Sequence, residues 1–248
     1  MPTPFTHLNI AQKLENDPQI PENIRQLLKT CHPAYLAGSI VADAKPTPES
    51  DRDVTHFYRY DRPMADHPWR VMMQQNPSLM TPDSPAHRVF IAAYVAHLAA
   101  DEYWSKYMLK PHFAEGDWGE DIRDRFFVLH LLLIHMDERD LNQLPIDYAE
   151  TLPQVNPTAW MPFLPDTCIN EWCDFVALQI PDKSETLHIF GTRVKTAPEK
   201  LRAMVDDVGL MQIRLWQYLP QTTLADLEAK IYDFAREQML VYLDETAS

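Results

Sequence analysis

Five side chains among the first 101 residues are of the types that bind a divalent metal ion: His7, Asp43, His56, His97 and Asp101. Imidazole nitrogen and carboxylate oxygen are donors that Zn²⁺ uses in catalytic sites. Such a site combines several fixed ligands with an open position for water, and the ion makes that water acidic near neutral pH. The residue types in this set therefore predict a metal-dependent hydrolase. Four of the residues would suffice for one ion: Asp43, His56, His97 and Asp101.

His97 and Asp101 form the pair whose relative position the sequence defines best. They stand four residues apart in a strongly helical stretch, so both side chains leave one face of the helix a turn apart. One ion could bind both of them. The alternative is a buried hydrogen-bonded couple in which Asp101 fixes the tautomer of a core histidine. Spacing along the chain does not by itself bring Asp43 or His56 to this pair.

His7 and Asp43 each allow a structural interpretation beside the functional one. His7 shares a helical stripe with Ile10, Ala11 and Leu14, and this stripe should face the core and take the imidazole inside. Taken alone, such a residue is more often a core or capping histidine than a ligand. Asp43 alone could equally cap a helix or belong to a turn.

The segments that would position these residues are helical, because apolar residues recur with a helical period and no β-branched cluster alternates over a useful length. We therefore expect an all-α fold, a single domain of about 8–10 helices that extends over residues 1–248. Residues 1–140 carry the candidate site, and residues 141–248 add C-terminal helices.

Two local predictions place Asp43 and His56 on particular elements. A helix that begins at Pro33 ends near Gly38 to Ala42 and leaves Asp43 just beyond it. Residues 44–62 are rich in proline, serine, threonine and aspartate, which predicts a loop. A short helical turn inside this loop would carry His56.

The best-defined helix opens at Ser84 and Pro85 and runs for about 26 residues. Its apolar face includes His97 and Asp101, so these side chains should point to the interior. Pro111 is expected to stop the helix, because proline lacks an N–H donor and clashes with the preceding turn.

The charge of the chain limits the class of partner. Twenty-two basic and 36 acidic residues give a formal net charge of −14, which excludes nucleic-acid binding through bulk electrostatic attraction. An anionic substrate would need locally placed positive charge, and bound zinc ions could supply it. Three cysteines, an odd number, favour reduced thiols over a disulfide framework.

No segment of the sequence predicts export or insertion into a membrane. The first residues lack the basic and apolar stretches of a signal peptide. The longest apolar run, residues 126–134, is far shorter than the roughly 20 residues that span a bilayer. We therefore expect a cytoplasmic protein. The apolar run could pack within the domain or against a second copy of the chain, which leaves homo-oligomerisation open.

His130 lies in this apolar run and shares a helix face with Asp137, seven residues further on. A further metal site could use it. His135 lies about 140° around the helix from His130 and cannot easily join it. Motifs of other hydrolase classes are absent, since the sequence has no H-E-x-x-H, no G-x-S-x-G and no phosphate-binding glycine loop.

Four ordered segments of the sequence together resemble the bacterial zinc-dependent phospholipase C family. They are Thr6-His7-Leu8, Gly38-Ser39-Ile40-Val41-Ala42-Asp43, Thr55-His56-Phe57 and His97-Leu98-Ala99-Ala100-Asp101, all within residues 1–110. The resemblance implies an all-helical domain, shared with the S1/P1 nucleases, with a zinc cluster in a cleft between helices. In this family pattern, one ion is bound by Asp43, His56, His97 and Asp101. Asp101 also bridges to a second ion, which His7 binds.

The sequence departs from the family pattern in two places. Secreted members complete the second ion with their processed N-terminal residue, whereas here Met1 precedes His7 by six residues. The third ion of the family takes a further histidine and a His-x-x-x-Glu helix pair. Here His130 is followed four residues later by Ile134, and His112 is the candidate for the further histidine. The resemblance therefore implies one or two zinc ions in this chain.

The reaction that the resemblance implies is the attack of metal-activated water on the phosphorus of a phosphodiester, with Asp43 as the base. The substrate would be a small phosphodiester or a phospholipid-like molecule. A second hypothesis is a non-catalytic helical metal-binding or interaction protein that retains a single zinc site. The number of bound ions distinguishes the two, because two or more favour the enzyme and one favours a structural site.

Overall fold

Proline begins most of the helices in the computed structural model, which describes residues 3–47, 49–181 and 185–247. It stands at the N-cap or in the first turn of eight of them. Proline fits there because its φ is already helical and the first turn does not need its missing N–H. This explains how 21 prolines are compatible with a helical chain that has only five glycines.

The all-α prediction is confirmed, because the described residues form thirteen α-helices and no strand. Ten of these helices have eight or more residues, as expected from the sequence, and the other three are single turns. In chain order they are α1 (Pro4–Asn16), α2 (Glu22–Thr30), α3 (His32–Ile40), α4 (Asp53–His56), α5 (Pro68–Gln75), α6 (Pro85–Trp104), α7 (Ile122–Leu141), α8 (Tyr148–Thr151), α9 (Asp166–Gln179), α10 (Glu185–Val194), α11 (Pro198–Asp206), α12 (Val208–Met211) and α13 (Gln221–Glu245).

α6 lies at the centre of the fold. Sixteen of its 20 residues are buried, among them five alanines that let neighbouring helices approach closely. α3 and α13 both pack along it. A helix that is apolar around its whole circumference has to be enclosed by other elements. His97 and Asp101 of α6 thereby lie in the interior of the protein.

The end of α6 differs from the prediction, because Pro111 does not stop the helix. The chain continues through a π-helical segment, Ser105–Ala114, with Pro111 inside it. The Glu115 N–H group closes this segment by donating to the Lys110 carbonyl, five residues earlier, at 2.9 Å. Proline cannot donate the backbone hydrogen bond from residue i to residue i−4 of an α-helix, and its ring clashes with that carbonyl group. The wider π turn bonds residue i to residue i−5 instead, which gives the proline ring more room.

The C-terminal helices share one hydrophobic core with the N-terminal helices, and this core extends from Phe5 to Leu243. α13 packs along α6, and α7 packs against α1, α10 and α11. Most of the apolar run of residues 126–134 is buried within the chain, as the complete burial of Val128 and Ile134 illustrates, while Phe126 and Phe127 are partly buried against the same core. Among the described residues, every helix is too short or too polar to cross a membrane.

Candidate metal centre

α6 presents His97 and Asp101 one turn apart, with His97 Nε2 3.5 Å from Asp101 Oδ2 and both side chains completely buried. Asp101 does not fix the tautomer of the histidine, because His97 Nδ1 lies 2.8 Å from the carbonyl oxygen of Ser39. A carbonyl oxygen can only accept a hydrogen bond, so Nδ1 carries the proton in the neutral ring and Nε2 keeps its lone pair. Histidines that bind metal ions are oriented in this way by a second hydrogen bond.

The contact between His97 and Ser39 depends on a glycine in α3. A Cβ atom at Gly38 would lie 2.1 Å from the carbonyl oxygen of Phe90 in α6. Only a residue without a side chain permits such a close crossing. α3 therefore approaches α6 closely enough for the Ser39 carbonyl to hold the imidazole of His97. A 3-10 turn, Val41–Asp43, then continues the chain from the end of α3.

α4 is a single turn that carries His56 into the interior. Phe57 ends it directly after the histidine, in the left-handed conformation with φ of 59°. Tyr94 on α6 holds the turn by donating a hydrogen bond of 2.7 Å to the carbonyl oxygen of Thr55. The Thr55 hydroxyl lies 3.0 Å from His56 Nδ1, so this nitrogen is engaged in a hydrogen bond. His56 Nε2 is left to face the carboxylates.

Asp101 is the carboxylate on which three histidines converge. Its Oδ1 atom lies 3.5 Å from His7 Nε2, while its Oδ2 atom lies 3.3 Å from His56 Nε2 and 3.5 Å from His97 Nε2. Asp43 adds a second carboxylate, with its Oδ1 atom 3.4 Å from His56 Nε2. The structure thus brings together five residues that the sequence analysis selected. They come from α1, the turn after α3, α4 and α6.

Two overlapping groups of potential ligand atoms result, and in each group the atoms lie within 4.8 Å of one another. One group contains His7, His97 and Asp101, and the other contains Asp43, His56 and His97. The Nε2 atoms of the three histidines and Asp101 Oδ1 are buried without an aligned hydrogen-bond partner. Buried polar atoms are nearly always satisfied, and a cation would satisfy these lone pairs together. The donor set therefore fits an ion such as Zn²⁺.

Both carboxylates of the cluster favour the ionised form. Burial by itself raises the pKa of Asp43, but the contact with the His56 imidazole and the charges of His97 and His56 lower it to about 2. Burial likewise raises the pKa of Asp101, yet the contacts with the three histidines leave it well below its ordinary value. Ligands must be deprotonated to bind a metal ion, so these two groups are ready to do so.

Arg52 belongs to the cluster although the sequence analysis did not select it. Its Nη2 atom lies 2.5 Å from Asp101 Oδ2, and its guanidinium group lies over Tyr58 and Tyr60, 4.8 and 5.2 Å from their ring centroids. The cation offsets the negative charge of a completely buried carboxylate. The available signal was its position four residues before His56, because residues at this spacing share a helix face.

A cleft of about 680 Å³ gives access to the cluster. Asp43, His56 and Arg52 line it, whereas His97 and Asp101 are completely buried. Asp43 is 16% exposed, which makes it the most accessible carboxylate of the cluster. The rest of the lining includes cations, aromatic rings and two further carboxyl groups. These residues are Lys45, Arg193, Tyr60, Trp172, Phe175, Phe190, Asp51 and Asp137.

His130, the sixth candidate ligand, belongs to neither group of ligand atoms found among the described residues. Its Nδ1 atom lies 2.6 Å from the carbonyl oxygen of Phe126, one turn earlier in α7. Its ring contacts Phe190 of α10 edge-on, with centroids 6.0 Å apart. Burial lowers the pKa of this imidazole. The structure therefore places His130 in a helix interface, apart from the other five candidates.

Comparisons with known proteins assign no family, since no family model, no curated protein and no solved structure matches this chain. The relation to the zinc-dependent phospholipases C therefore stays a prediction from the sequence segments quoted above. The chain itself provides three imidazoles and two ionised carboxylates around a common centre beside an open cleft.

Proposed function

We propose that this protein is a zinc-dependent phosphodiester hydrolase. The observation that carries the proposal is the convergence of three Nε2 atoms without hydrogen-bond partners, those of His7, His56 and His97, on Asp101 beside an open cleft. Imidazole nitrogens are typical ligands of Zn²⁺, whereas Mg²⁺ and Ca²⁺ prefer oxygen donors. The resemblance of the ligand-bearing segments to zinc-dependent phospholipases C supports the same ion and the same class of reaction.

The ligand set suits one or two ions. Asp43, His56 and His97 would bind the first, and His7 with Asp101 Oδ1 would contribute to a second. His97 Nε2 has one lone pair and can serve only one ion. Asp101 could serve both, because its two oxygen atoms face different histidines.

When bound, the ion would acidify a water molecule and withdraw negative charge from the phosphoryl oxygens. Asp43, which is ionised and accessible from the cleft, would orient the attacking water and accept its proton. Arg52 and Lys45 would attract the phosphodiester anion. Such local cations are needed because the chain as a whole carries a formal net charge of −14. The substrate class is a small or phospholipid-like phosphodiester.

Zinc content and the hydrolysis of bis(p-nitrophenyl) phosphate, with and without a chelator, test the proposal. We expect about one or two zinc ions per chain and turnover that the chelator removes. Asp43→Asn and His97→Ala should abolish turnover while the circular dichroism spectrum stays helical. His130→Ala is the control, a histidine outside the cluster that should retain both zinc and turnover. Unchanged turnover in either cluster variant would reject the assignment.

A non-catalytic metal-binding protein is the second candidate, and the burial of the inner part of the cluster favours it. The side chain of His7 is 2% exposed and that of Asp101 is completely buried, so an ion between them would be enclosed by protein. Structural zinc sites are closed in this way, whereas catalytic sites keep an open position. Stoichiometric zinc without hydrolysis, together with a loss of stability on chelation, would favour this candidate.

A further inference from the structure

The cleft that Asp43 lines contains a buried carboxyl group, that of Asp137. Asp137 belongs to neither group of candidate metal ligands. It lies on α7 and is only 3% exposed. The Thr186 hydroxyl on α10 donates a hydrogen bond to its Oδ2 atom. α7 and α10 pack against each other, so two helices hold this pair in place.

The surroundings of Asp137 favour its neutral form. Burial raises the pKa of Asp137 to about 6, with the negative charges of Asp140 and Glu138 acting in the same direction and the Thr186 hydrogen bond against it. A carboxyl group that lines the cleft and keeps its proton to higher pH than an ordinary one can serve as a general acid there.

The other charged groups that face this cleft come from two segments. Arg193 lies on α10, where its guanidinium carbon is 5.3 Å from the centroid of the Phe190 ring. Lys45, Asp51 and Arg52 lie on the segment that connects the 3-10 turn ending at Asp43 to α4. Three of these four groups are cations, which would hold a phosphodiester anion in the cleft that Asp43 and Asp137 share.

We propose that Asp137 is the general acid of the hydrolysis and donates its proton to the oxygen of the leaving group, an inference that rests on the proposed function. The attacking water forms a bond to phosphorus and gives a proton to Asp43. The bond between phosphorus and the leaving oxygen breaks, its electron pair stays on that oxygen, and the oxygen takes the proton of Asp137. Asp137 ends the step as a carboxylate and Asp43 as an acid, and proton exchange with solvent restores both.

The acidity of the leaving group tests this role. p-Nitrophenol is a much stronger acid than phenol, so p-nitrophenolate leaves readily without a proton, whereas the departure of phenol benefits from one. We expect Asp137→Asn to lower kcat for diphenyl phosphate by about 10²–10³-fold and kcat for bis(p-nitrophenyl) phosphate by less than about tenfold. Asparagine keeps the shape of the side chain and can still accept the hydrogen bond of Thr186, but it has no acidic proton to transfer.

Asp140→Asn is the matched control. Asp140 is also buried on α7, three residues after Asp137, but it accepts a hydrogen bond of 2.6 Å from Thr6 and lines a different cavity. The charge of Asp140 raises the pKa of Asp137, so the esters are compared at a pH below the pKa of Asp137 in both proteins, where that group stays protonated. Under this condition the replacement should change kcat for both esters by the same factor. Both variants should bind as much zinc as the unaltered protein, because neither residue belongs to a candidate ligand group.

Thr186→Val provides a second test that keeps Asp137 itself. The Thr186 hydrogen bond lowers the pKa of Asp137, so its loss should raise that pKa. A general acid has to be protonated to act, and the rate for diphenyl phosphate should therefore fall at high pH. Thr186→Val should move this alkaline limb of the pH–rate profile to higher pH, and Asp137→Asn should abolish the limb. If Asp137→Asn does not fold, the profile of Thr186→Val decides.

The outcomes separate this inference from the function on which it rests. Equal losses for both esters in Asp137→Asn, or an alkaline limb that Thr186→Val leaves in place, would overturn the role of Asp137 and leave the hydrolase intact. A zinc-loaded, unaltered protein that hydrolyses neither ester would overturn the proposed function and the general acid together.

Discussion

His7 and His97 stack face to face, with ring centroids 3.7 Å apart and an angle of 14° between the ring planes. Two protonated imidazoles at this separation would repel each other strongly in a buried site. Burial and the neighbouring His97 lower the pKa of His7. Burial acts in the same direction on His97, but Asp101 and Asp43 raise the pKa of His97 above its ordinary value. The stack therefore keeps His7 neutral and leaves any proton on His97.

Zinc uptake should accordingly release more protons as the pH falls. His97 keeps its proton to higher pH than an ordinary histidine and must lose it before Nε2 can bind an ion. From about pH 8 to about pH 6 we expect proton release per zinc to rise and zinc affinity to fall, by up to about tenfold per pH unit for each proton. Calorimetric titration in two buffers of different ionisation enthalpy measures both quantities. His130→Ala should behave like the unaltered protein, and an affinity independent of pH would contradict the expectation.

Gly38→Ala should destabilise the fold and weaken zinc binding together. The new Cβ atom would lie 2.1 Å from the backbone oxygen of Phe90, which cannot move aside as a flexible side chain can. We expect α3 to shift away from α6 at a cost of about 1–3 kcal/mol or more. The Ser39 carbonyl would then lose its hold on His97 Nδ1. Chemical denaturation and zinc titration measure the two effects.

Gly209→Ala is the control for this variant. A Cβ atom at Gly209 would meet its nearest neighbour, Asp207 Oδ1, at 3.4 Å, and the residue is exposed on the single turn α12. It should change the free energy of unfolding by no more than about 0.5 kcal/mol. If Gly38→Ala were equally harmless, the helix crossing could not depend on the missing side chain.

Arg52→Gln should destabilise the metal-free protein more than the zinc-loaded protein. The guanidinium group offsets the charge of Asp101, which is completely buried while Arg52 is 25% exposed. Removing one member of a fully buried pair costs roughly 3–5 kcal/mol, and we expect less here because of the exposure of Arg52. Bound zinc would supply the missing positive charge. Thermal unfolding with and without zinc compares the two states.

Arg59→Gln is the control for this comparison, because the ion pairs of Arg59 with Asp53 and Asp61 are at the surface. Exposed pairs contribute little to stability, so this variant should unfold at nearly the same temperature in both states. An equal loss of stability with and without zinc in Arg52→Gln would show that the ion does not take over the role of the guanidinium group.

Asp137→Asn should gain stability relative to the unaltered protein as the pH rises. A carboxyl group whose pKa is raised on folding, here from 3.8 to about 6, stabilises the folded state fully below 3.8. That contribution is lost as the pH rises through about 6. The loss amounts to about 3 kcal/mol, and asparagine has no such dependence. Chemical denaturation across this pH range measures it, and a constant difference between the two proteins would mean that Asp137 ionises as it does in the unfolded chain.

The sequence by itself determined the helical class and the part of the candidate site that lies within one helix. His97 and Asp101 stand four residues apart, and helix geometry sets that relation before any tertiary contact forms. The same holds for the position of Asp43 in the turn that follows α3 and of His56 on a short helical turn, both of which agree with the prediction. These features depend on neighbours within a few residues, which a sequence displays directly.

Only the tertiary structure decided which of the candidate side chains meet. Spacing and residue type suited His130 as well as His7, yet folding places His130 against Phe190 and His7 against His97. It also brought Arg52 to Asp101, a contact between residues that are far apart in the sequence. Pro111 shows a local rule overruled in the same way, since packing extends the helix past it. Such outcomes depend on the free energy gained when the whole apolar core is buried. This free energy depends on the way in which many helices pack together, so no short segment of the sequence determines it.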